Sequence, residues 1–369
     1  MRAVVCTDLN EVSVQDIDIP EPRAREVRIR IVAAGLCHTD LSVVRGNFDV
    51  PKPVVLGHEG CGYVDKVGPG VWEVAPGDPV VCSIIMPCHA CPQCDRGAFS
   101  ICDQWFEIAF SGIMPDGTTR LRRDDSDINS FFSQSSFAEY AVVPVSAVVK
   151  VRQDAPLEKL AGLACGISTG LGAAMVRAPV QPGATVAVLG AGGVGVATMI
   201  GARAKKALRV IAIDLVPTKL DHALRTGAAT DAIVAGANTV EDVLRLTPGG
   251  KGVDIFYDAV GAATTIETGI AATRAGGTIV AIGIMENDLE YTVPLRGLIN
   301  EKIITGTNGG SIVPRRDIPR FVDLMMAGEL PFDAITDRYY DISQVAEAFD
   351  DLEQHRMTRG AFRFESSPS

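Results

Sequence analysis

The sequence predicts an α/β protein in which a doubly wound parallel sheet is flanked by chain segments rich in β-strands. In residues 26–32, apolar and polar side chains alternate, which is typical of a strand with one buried face. After Gly166, short apolar segments alternate with segments of helical composition. This alternation predicts a parallel sheet with helices on both faces. A chain of 369 residues is long enough for two domains.

The composition argues against several classes of partner. Apolar residues make up 47% of the chain and charged residues 21%, which is ordinary for a globular protein. The net charge is -11 and no run of lysine or arginine occurs, so we expect neither nucleic acid nor an anionic membrane as partner. Residues 1–5 lack the apolar core of a signal peptide, and the apolar stretch 160–176 is shorter than the ~20 residues of a membrane helix. We therefore expect a cytoplasmic protein.

The elements of the central part are predicted from short apolar runs. The strand candidates are residues 185–189, 209–213, 253–257, 278–282 and 302–305. Beyond Gly309 the pattern is mixed, with a helix predicted over 342–355 and a strand over 360–364. Residues 116–129 are polar and predict an exposed loop with two clusters of charge.

A dinucleotide site is predicted where the candidate strand 185–189 runs into a turn. The segment Gly190-Ala191-Gly192-Gly193-Val194-Gly195 has G-x-G-x-x-G spacing, and helix-forming residues follow it. Glycine lets the backbone approach a pyrophosphate, which the helix N-terminus attracts with free N–H groups. Asp214 closes the next strand, about 20 residues later, where a carboxylate binds ribose hydroxyls and repels a 2′-phosphate. NAD is therefore expected rather than NADP, and a purely structural glycine turn is the alternative.

Four clustered cysteines predict a closed metal site. They are Cys88, Cys91, Cys94 and Cys102. Four thiolates can surround one tetrahedral Zn²⁺ and leave no position for a substrate, so the site is expected to be structural. An iron–sulfur cluster fits less well, because the bacterial ferredoxin run places its fourth cysteine after three residues and follows it with proline. Here seven residues intervene and Asp103 follows. Four free thiols are the other alternative.

Three scattered residues predict an open zinc site. They are Cys37, His58 and Cys165. Two thiolates and one imidazole leave a fourth position for water or substrate, which is the ligand count of catalytic zinc. Each residue alone is more simply a buried cysteine or an ordinary histidine. The prediction depends on their joint occurrence with the four cysteines and the glycine-rich turn.

Together these motifs resemble those of the medium-chain, zinc-dependent alcohol dehydrogenases over nearly the whole chain. The matching segments are 35–40, 56–60, 88–102, 164–170, 190–195 and Asp214, and residues 112–120 resemble the longer, dimeric branch. The resemblance implies a Rossmann domain inserted into a mainly β, GroES-like catalytic domain built from both chain ends. The implied domains are residues 1–166 (catalytic, with both zinc sites), 167–309 (NAD-binding) and 310–369 (the rest of the catalytic domain).

The resemblance also implies roles. Cys37, His58 and Cys165 would bind the catalytic zinc, which gives two zinc ions per chain. Asp40 would orient His58 from behind, as metal-bound imidazoles are usually held. Glu59 would lie behind the metal, and Thr39 would hydrogen-bond the substrate oxygen.

Cofactor contacts are implied in the same way. Thr169 would pack near the nicotinamide of NAD, and Lys219 would lie near the adenosine ribose. His38 and Arg359 match positions that contact the pyrophosphate. One position departs from the pattern: many relatives carry a histidine five residues after the first zinc cysteine, where this chain has Ser42. A hydroxyl relays a proton but is no base near neutral pH, so the exit route of the proton is open.

The matching pocket positions are apolar. They are Phe48, Ile84, Phe131, Phe132 and Ile284. Such a lining favours lipophilic primary or aryl alcohols and their aldehydes over ethanol or sugars, although some of these side chains could belong only to the core. A thiol-adduct formaldehyde dehydrogenase is the close alternative, and such relatives carry an acidic residue in place of Phe48.

Two alternatives come from other functional classes. A zinc-free quinone or enoyl reductase shares the fold but would lack the Cys37, His58 and Cys165 set. A non-catalytic NAD-binding protein would be expected to carry damaged ligands, and every zinc position here is intact. The partner is therefore expected to be a small alcohol or aldehyde. The family likeness further implies a homodimer, with a tetramer as the alternative.

Overall fold

The computed structural model describes residues 1–283, 290–293, 295 and 299–364, which divide into two compact units. The first unit contains Met1–Cys165, Val313–Ala327 and Thr336–Ser369, and the second contains Gly166–Ile312 and Gly328–Ile335. The sequence placed the boundaries at 166/167 and 309/310 and did not assign 328–335 to the inserted unit. Within the described residues, no helix is long and apolar enough to span a bilayer.

The strands and helices are numbered in chain order. The strands are β1 (Arg2–Asp8), β2 (Glu11–Asp16), β3 (Glu26–Gly35), β4 (Val54–Val55), β5 (Gly60–Val67), β6 (Pro79–Cys82), β7 (Leu121–Arg123), β8 (Ser126–Ser130), β9 (Tyr140–Pro144), β10 (Val148–Lys150), β11 (Thr185–Leu189), β12 (Arg209–Asp214), β13 (Asp231–Val234), β14 (Val253–Asp258), β15 (Thr273–Ala281), β16 (Ile303–Gly306), β17 (Arg338–Tyr340) and β18 (Gly360–Arg363). The helices are α1 (His38–Arg45), α2 (Pro92–Asp95), α3 (Trp105–Phe110), α4 (Gly166–Gly172), α5 (Gly193–Ala204), α6 (Pro217–Arg225), α7 (Thr239–Arg245), α8 (Ala263–Ala272), α9 (Pro314–Met326) and α10 (Val345–Glu353).

The first unit is built on two sheets. One has the strand order β2-β1-β4-β8-β7, and the other has the order β10-β6-β5-β3-β18-β17, with β9 also paired to β3. Burial alternates along β3, as its sequence predicts. The end of β3 pairs with β18, for example Ala33 with Arg363, so the last of the described strands joins the same sheet as an early strand.

Residues 116–129 are largely exposed, as predicted, but they form a hairpin and not a loop. Strands β7 and β8 make an antiparallel hairpin in which Leu121 faces Ile128, and both side chains are buried. Arg120 is 9% exposed and donates hydrogen bonds to Glu26 and Asp116. The hairpin forms because the side chains of Leu121 and Ile128 join a small core. The positive charge of Arg120 is neutralised by its hydrogen-bonded carboxylates.

The second unit contains a six-stranded parallel sheet in the order β13-β12-β11-β14-β15-β16. The five predicted strands are confirmed, with ends that differ by a few residues. β13 was not predicted, because its four residues contain a single buried apolar side chain, Ile233. The strand order reverses beside β11, and ligands of such sheets bind outside the carboxyl ends of the strands at this point.

Candidate metal and dinucleotide sites

The predicted open zinc site lies in the first unit, where three separate parts of the chain meet. Cys37 precedes α1, His58 follows β4, and Cys165 follows a 3-10 turn over Ala161–Ala164. The ligand atoms of these three residues and of Glu59 all lie within 4.8 Å of one another. The fold thus assembles two thiols and one imidazole into a group that a single metal ion can contact, with the Glu59 carboxylate next to them.

Asp40 fixes the orientation of the His58 ring. Its carboxylate lies 3.2 Å from His58 Nδ1 and accepts a hydrogen bond from the Gly57 amide at 2.9 Å. His58 Nε2, on the other side of the ring, is buried and has no hydrogen-bond partner among the described residues. A buried imidazole nitrogen without a partner, beside two thiols, fits the donor chemistry of zinc.

Burial and mutual interaction shift the protonation of this group. A hydrogen bond with Cys165 lowers the pKa of Cys37 well below its ordinary value, and the same bond raises the pKa of Cys165. Burial opposes the charged form of His58, but Asp40 and Cys37 outweigh it and raise the pKa of that imidazole. Burial also raises the pKa of Glu59 to about 7. A bound cation would displace the thiol protons, since cysteine binds metal as the thiolate.

A buried ion pair lies behind the donor set. It joins Glu59 to Arg359, whose side chains are 0% and 5% exposed. Gly35 leaves the space for this pair, since a Cβ at that position would lie 2.1 Å from Glu59 Oε2. The implied contact of Arg359 with a pyrophosphate stays a prediction.

Helix α1 carries the other side chains that the sequence singled out near Cys37. Thr39 is buried, and its hydroxyl accepts a hydrogen bond from the Cys37 thiol at 3.5 Å. His38 is exposed, and its ring centroid lies 6.0 Å from that of His355. Ser42 is half-buried. Thr39 is therefore the hydroxyl of this helix that lies at the donor set.

Two phenylalanine rings pack directly on the imidazole. Phe132 stacks on His58 with ring centroids 4.8 Å apart, and Phe131 meets it edge-on at 5.5 Å. Both phenylalanines are almost fully buried. These two of the five predicted pocket residues therefore lie at the donor set.

A strained turn holds these rings in place. The backbone angle φ is +52° at Phe132, +48° at Ser133 and +53° at Ser135, conformations that side chains with a Cβ rarely adopt. The Ser135 hydroxyl accepts a hydrogen bond from the Phe131 amide and donates one to the Val55 carbonyl, both at 2.9 Å. These bonds connect the turn to β4, which leads to His58.

Gln134, in the same turn, connects it to two other parts of the chain by side-chain hydrogen bonds. Its side chain accepts a hydrogen bond from the Gly60 amide at 2.7 Å and donates one to the Cys82 carbonyl at 3.1 Å. Neither Ser135 nor Gln134 was predicted to have a role, because a serine or a glutamine in a polar stretch gives no signal of burial.

The remaining predicted pocket residues have different surroundings. Phe48 is half-buried, and its ring centroid lies 5.0 Å from that of Phe110, a residue not among the predicted pocket positions. Ile84 is buried, and its amide donates a hydrogen bond to the Ala164 carbonyl, next to Cys165. Ile284 lies outside the described residues.

The four clustered cysteines form a second group of sulfur atoms in the first unit. Cys88 Sγ lies 3.9 Å from Cys94 Sγ, and Cys91 Sγ lies 3.9 Å from Cys102 Sγ. Zinc–sulfur bonds of ~2.3 Å in a tetrahedron give sulfur–sulfur edges of ~3.8 Å, so the spacing fits a closed zinc site.

Backbone amides point at these sulfur atoms. The amide of Ala90 donates to Cys88 Sγ and the amide of Cys88 donates to Cys102 Sγ, both at 3.4 Å. A hydrogen bond from the Asp103 amide lowers the pKa of Cys91 to about 7, whereas burial raises the pKa of Cys94 to about 12. Amide donors favour thiolates, the form in which cysteine binds metal.

The predicted dinucleotide turn lies between β11 and α5 in the second unit. Gly190 has φ of +94°, which the tight turn requires. A Cβ at Gly195 would lie 1.7 Å from the Gly190 carbonyl oxygen, whereas a Cβ at Gly192 would meet no heavy atom within 4 Å. Gly190 thus makes the turn, and Gly195 permits close packing of the helix against it. Gly192 leaves open space at the helix N-terminus, beside Gly193 and Val194.

Asp214 ends β12 beside this turn. Its two carboxylate oxygens accept hydrogen bonds from the amides of Ala191 and Val216, at 2.7 Å and 2.9 Å. Each oxygen keeps a lone pair for a further donor. Lys219 lies on α6 and Thr169 on α4, both half-buried.

Comparisons with known proteins identify the family. Residues 23–153 match the alcohol dehydrogenase GroES-like domain, and residues 193–327 match the zinc-binding dehydrogenases. The chain is 35% identical over 358 residues to alcohol dehydrogenase class-3 of Drosophila melanogaster, covering 95% of this chain and 94% of that protein. It is 34% identical over 355 residues to S-(hydroxymethyl)glutathione dehydrogenase of Escherichia coli, covering 95% of each. The crystal structure of benzyl alcohol dehydrogenase from Acinetobacter calcoaceticus matches with a TM-score of 0.93, 32% identity and 99% coverage of both chains. The chain therefore belongs to the medium-chain, zinc-dependent alcohol dehydrogenase family.

Proposed function

We propose that this protein catalyses the NAD-linked, reversible oxidation of lipophilic primary or aryl alcohols to aldehydes. The observation that carries the proposal is the buried set of Cys37, His58 and Cys165, with aromatic rings packed on its imidazole. Three protein donors leave one position on a tetrahedral metal, as in catalytic zinc sites. When bound, zinc supplies the Lewis acidity that lowers the pKa of an alcohol.

The side chains around the donor set then have defined tasks. Asp40 holds the proton of His58 on Nδ1, which keeps Nε2 available as a ligand. The buried Thr39 hydroxyl would hydrogen-bond the alcohol oxygen and relay its proton toward solvent, releasing its own hydroxyl proton as it takes up that of the alcohol. Phe131 and Phe132 keep water away from the imidazole, which strengthens the electrostatic interactions at the reacting oxygen.

We propose NAD as the cofactor and two zinc ions per chain. The carboxylate of Asp214 disfavours the additional phosphate of NADP through charge repulsion. Gly192 leaves space for a pyrophosphate at the N-terminus of α5. The second zinc would be held by the four clustered cysteines, whose sulfur spacing fits a tetrahedral site.

Oxidation of a glutathione adduct is the second candidate activity, because the Escherichia coli relative is named S-(hydroxymethyl)glutathione dehydrogenase. Such a substrate is charged and polar along most of its length. Phe48, which packs against Phe110, offers it no charge-assisted hydrogen bond. The apolar environment therefore favours a lipophilic alcohol over the adduct.

We also propose that the protein forms a homodimer. Strand β16 is the edge strand of the six-stranded sheet, and its first residue, Ile303, is 57% exposed. An exposed edge with apolar side chains is a template for pairing with another strand. Light scattering on the purified protein would measure the mass, and a monomer would contradict this part of the proposal.

The test combines metal analysis with a cofactor assay. Zinc per chain is measured by elemental analysis, and NADH formation is followed with benzyl alcohol, using NADP and then formaldehyde with glutathione as comparisons. We expect two zinc ions and activity that prefers NAD and benzyl alcohol. A matched Cys165→Ser variant should retain one zinc and lose activity. One zinc and no turnover in the unmodified protein would refute the proposal, and turnover only with the glutathione adduct would favour the second candidate.

A further inference from the structure

A continuous row of aromatic rings leads from the donor set toward solvent. Phe110 lies 5.1 Å from Phe132 and 6.0 Å from Phe131, ring centroid to ring centroid, and 5.0 Å from Phe48. On its other side, Phe106 lies 5.3 Å away. Phe110 is thus the one ring in this row, among the described residues, that contacts all four others.

Exposure increases along the row. Phe131 and Phe132, which touch His58, are 0% and 5% exposed, Phe110 is half-buried, and Phe106 is 55% exposed. A ring that served only the core would be buried on all sides. Phe110 instead packs on the rings at the donor set and keeps a solvent-accessible part, so a ligand that reaches these rings from solvent can contact it.

The backbone fixes Phe110 relative to the donor set. It is the last residue of α3, and the carbonyl of the preceding residue, Ala109, accepts a hydrogen bond from the Phe132 amide at 2.9 Å. The helix end and the strained turn that holds Phe132 on His58 therefore form one connected structure. The position of the Phe110 ring relative to Phe132, which stacks on His58, is therefore fixed by the backbone.

We propose that Phe110 is a specificity-determining residue that selects planar aryl alcohols over saturated alcohols of the same size. This inference rests on the proposed alcohol dehydrogenase activity and adds a residue outside the predicted pocket set. Aromatic rings attract one another in tilted and edge-to-face arrangements, and Phe110 meets Phe131 and Phe132 at 71° and 64°. A flat substrate ring can join this arrangement, whereas a saturated ring is thicker and lacks the charge distribution of an aromatic face.

The test compares two alcohols that differ only in ring saturation, benzyl alcohol and cyclohexylmethanol. We measure kcat/KM for each in the holoenzyme and in Phe110→Leu, which keeps an apolar side chain but removes the ring. We expect the benzyl-to-cyclohexyl ratio to fall about 3- to 10-fold in Phe110→Leu. Phe110→Tyr, which retains the ring, should keep the ratio. Phe106→Leu is the matched control on the same helix, and its ratio should change less than about 2-fold because its ring is largely in solvent.

Each outcome separates the inference from the function on which it rests. If the unmodified enzyme oxidises neither alcohol, the proposed function fails. If it oxidises both and Phe110→Leu keeps the original ratio, with zinc content and melting temperature unchanged, the role of Phe110 is refuted. An equal fall in Phe106→Leu would also refute it, since the effect would then belong to the helix and not to one ring. Should Phe110→Leu fail to fold, Phe110→Met is measured against the same expectations.

Discussion

Replacing Gly192 by alanine separates cofactor binding from folding at the glycine-rich turn. An alanine Cβ at this position would meet no heavy atom within 4 Å, and φ is -81°, which alanine adopts without strain. The free energy of unfolding should therefore change by less than about 1 kcal/mol. The added methyl group would, however, occupy the open space at the N-terminus of α5, where a pyrophosphate is proposed to bind.

The expected loss of affinity follows from one broken contact. A hydrogen bond from an amide to a charged phosphate contributes about 1.5–3 kcal/mol, which corresponds to about a 10- to 150-fold weaker Kd. NADH binding is measured by fluorescence titration without alcohol, so the result does not depend on the zinc site. Urea denaturation reports stability in the same preparations.

Two other glycines supply the controls. Gly236→Ala adds the same methyl group at a position that also has no heavy atom within 4 Å, and it should change neither stability nor NADH affinity. Gly195→Ala places a Cβ 1.7 Å from the Gly190 carbonyl oxygen and should destabilise the fold by about 3 kcal/mol or more. If Gly192→Ala binds NADH as tightly as the unmodified protein, the turn is structural and the assignment of the dinucleotide site is wrong.

Three further changes address the donor set and its supports. Thr39→Ala should lower kcat about 100-fold or more while zinc per chain stays the same, and full turnover would contradict its role with the substrate proton. Ser135→Ala leaves the Phe131 amide and the Val55 carbonyl without their partner and should lower the free energy of unfolding by about 1–3 kcal/mol; an unchanged urea midpoint would show that the turn does not need this hydroxyl. Cys102→Ser should remove one zinc per chain and lower the melting temperature, and retention of both zinc ions would mean that Cys102 is not a ligand.

The parallel sheet and the glycine-rich turn were predictable because their causes are local. A buried parallel strand needs a short apolar run, and β11 occupies the predicted residues 185–189. The glycines are required by contacts within the turn itself, as between Gly195 and Gly190. β13 and the hairpin of β7 and β8 were not predicted. Each contains few buried side chains, and these are buried only by segments that are distant in the chain.

The residues that hold the donor set in place were harder to predict, for a related reason. Gln134 and Ser135 act through backbone groups of Gly60, Cys82 and Val55, between 52 and 80 residues away in the chain. Nothing in the residues around them indicates these partners. The pairing of Asp40 with His58 was expected from the family resemblance, and it matches the usual way in which a carboxylate orients a metal-binding imidazole.

This difference explains why the reaction type is easier to infer than the substrate. Zinc binds through a few donor types, chiefly cysteine, histidine and carboxylate, so the proposed ligands Cys37, His58 and Cys165 can be recognised in the sequence. An apolar wall, in contrast, can be built from many residue types, and the contribution of one ring depends on the rings that surround it. Phe110 is an example, because its neighbours in sequence, Ala109 and Ser111, do not indicate that it contacts four aromatic rings. Selection among alcohols should therefore respond to changes at Phe110 that leave the metal chemistry intact, which is the separation that the benzyl alcohol and cyclohexylmethanol comparison measures.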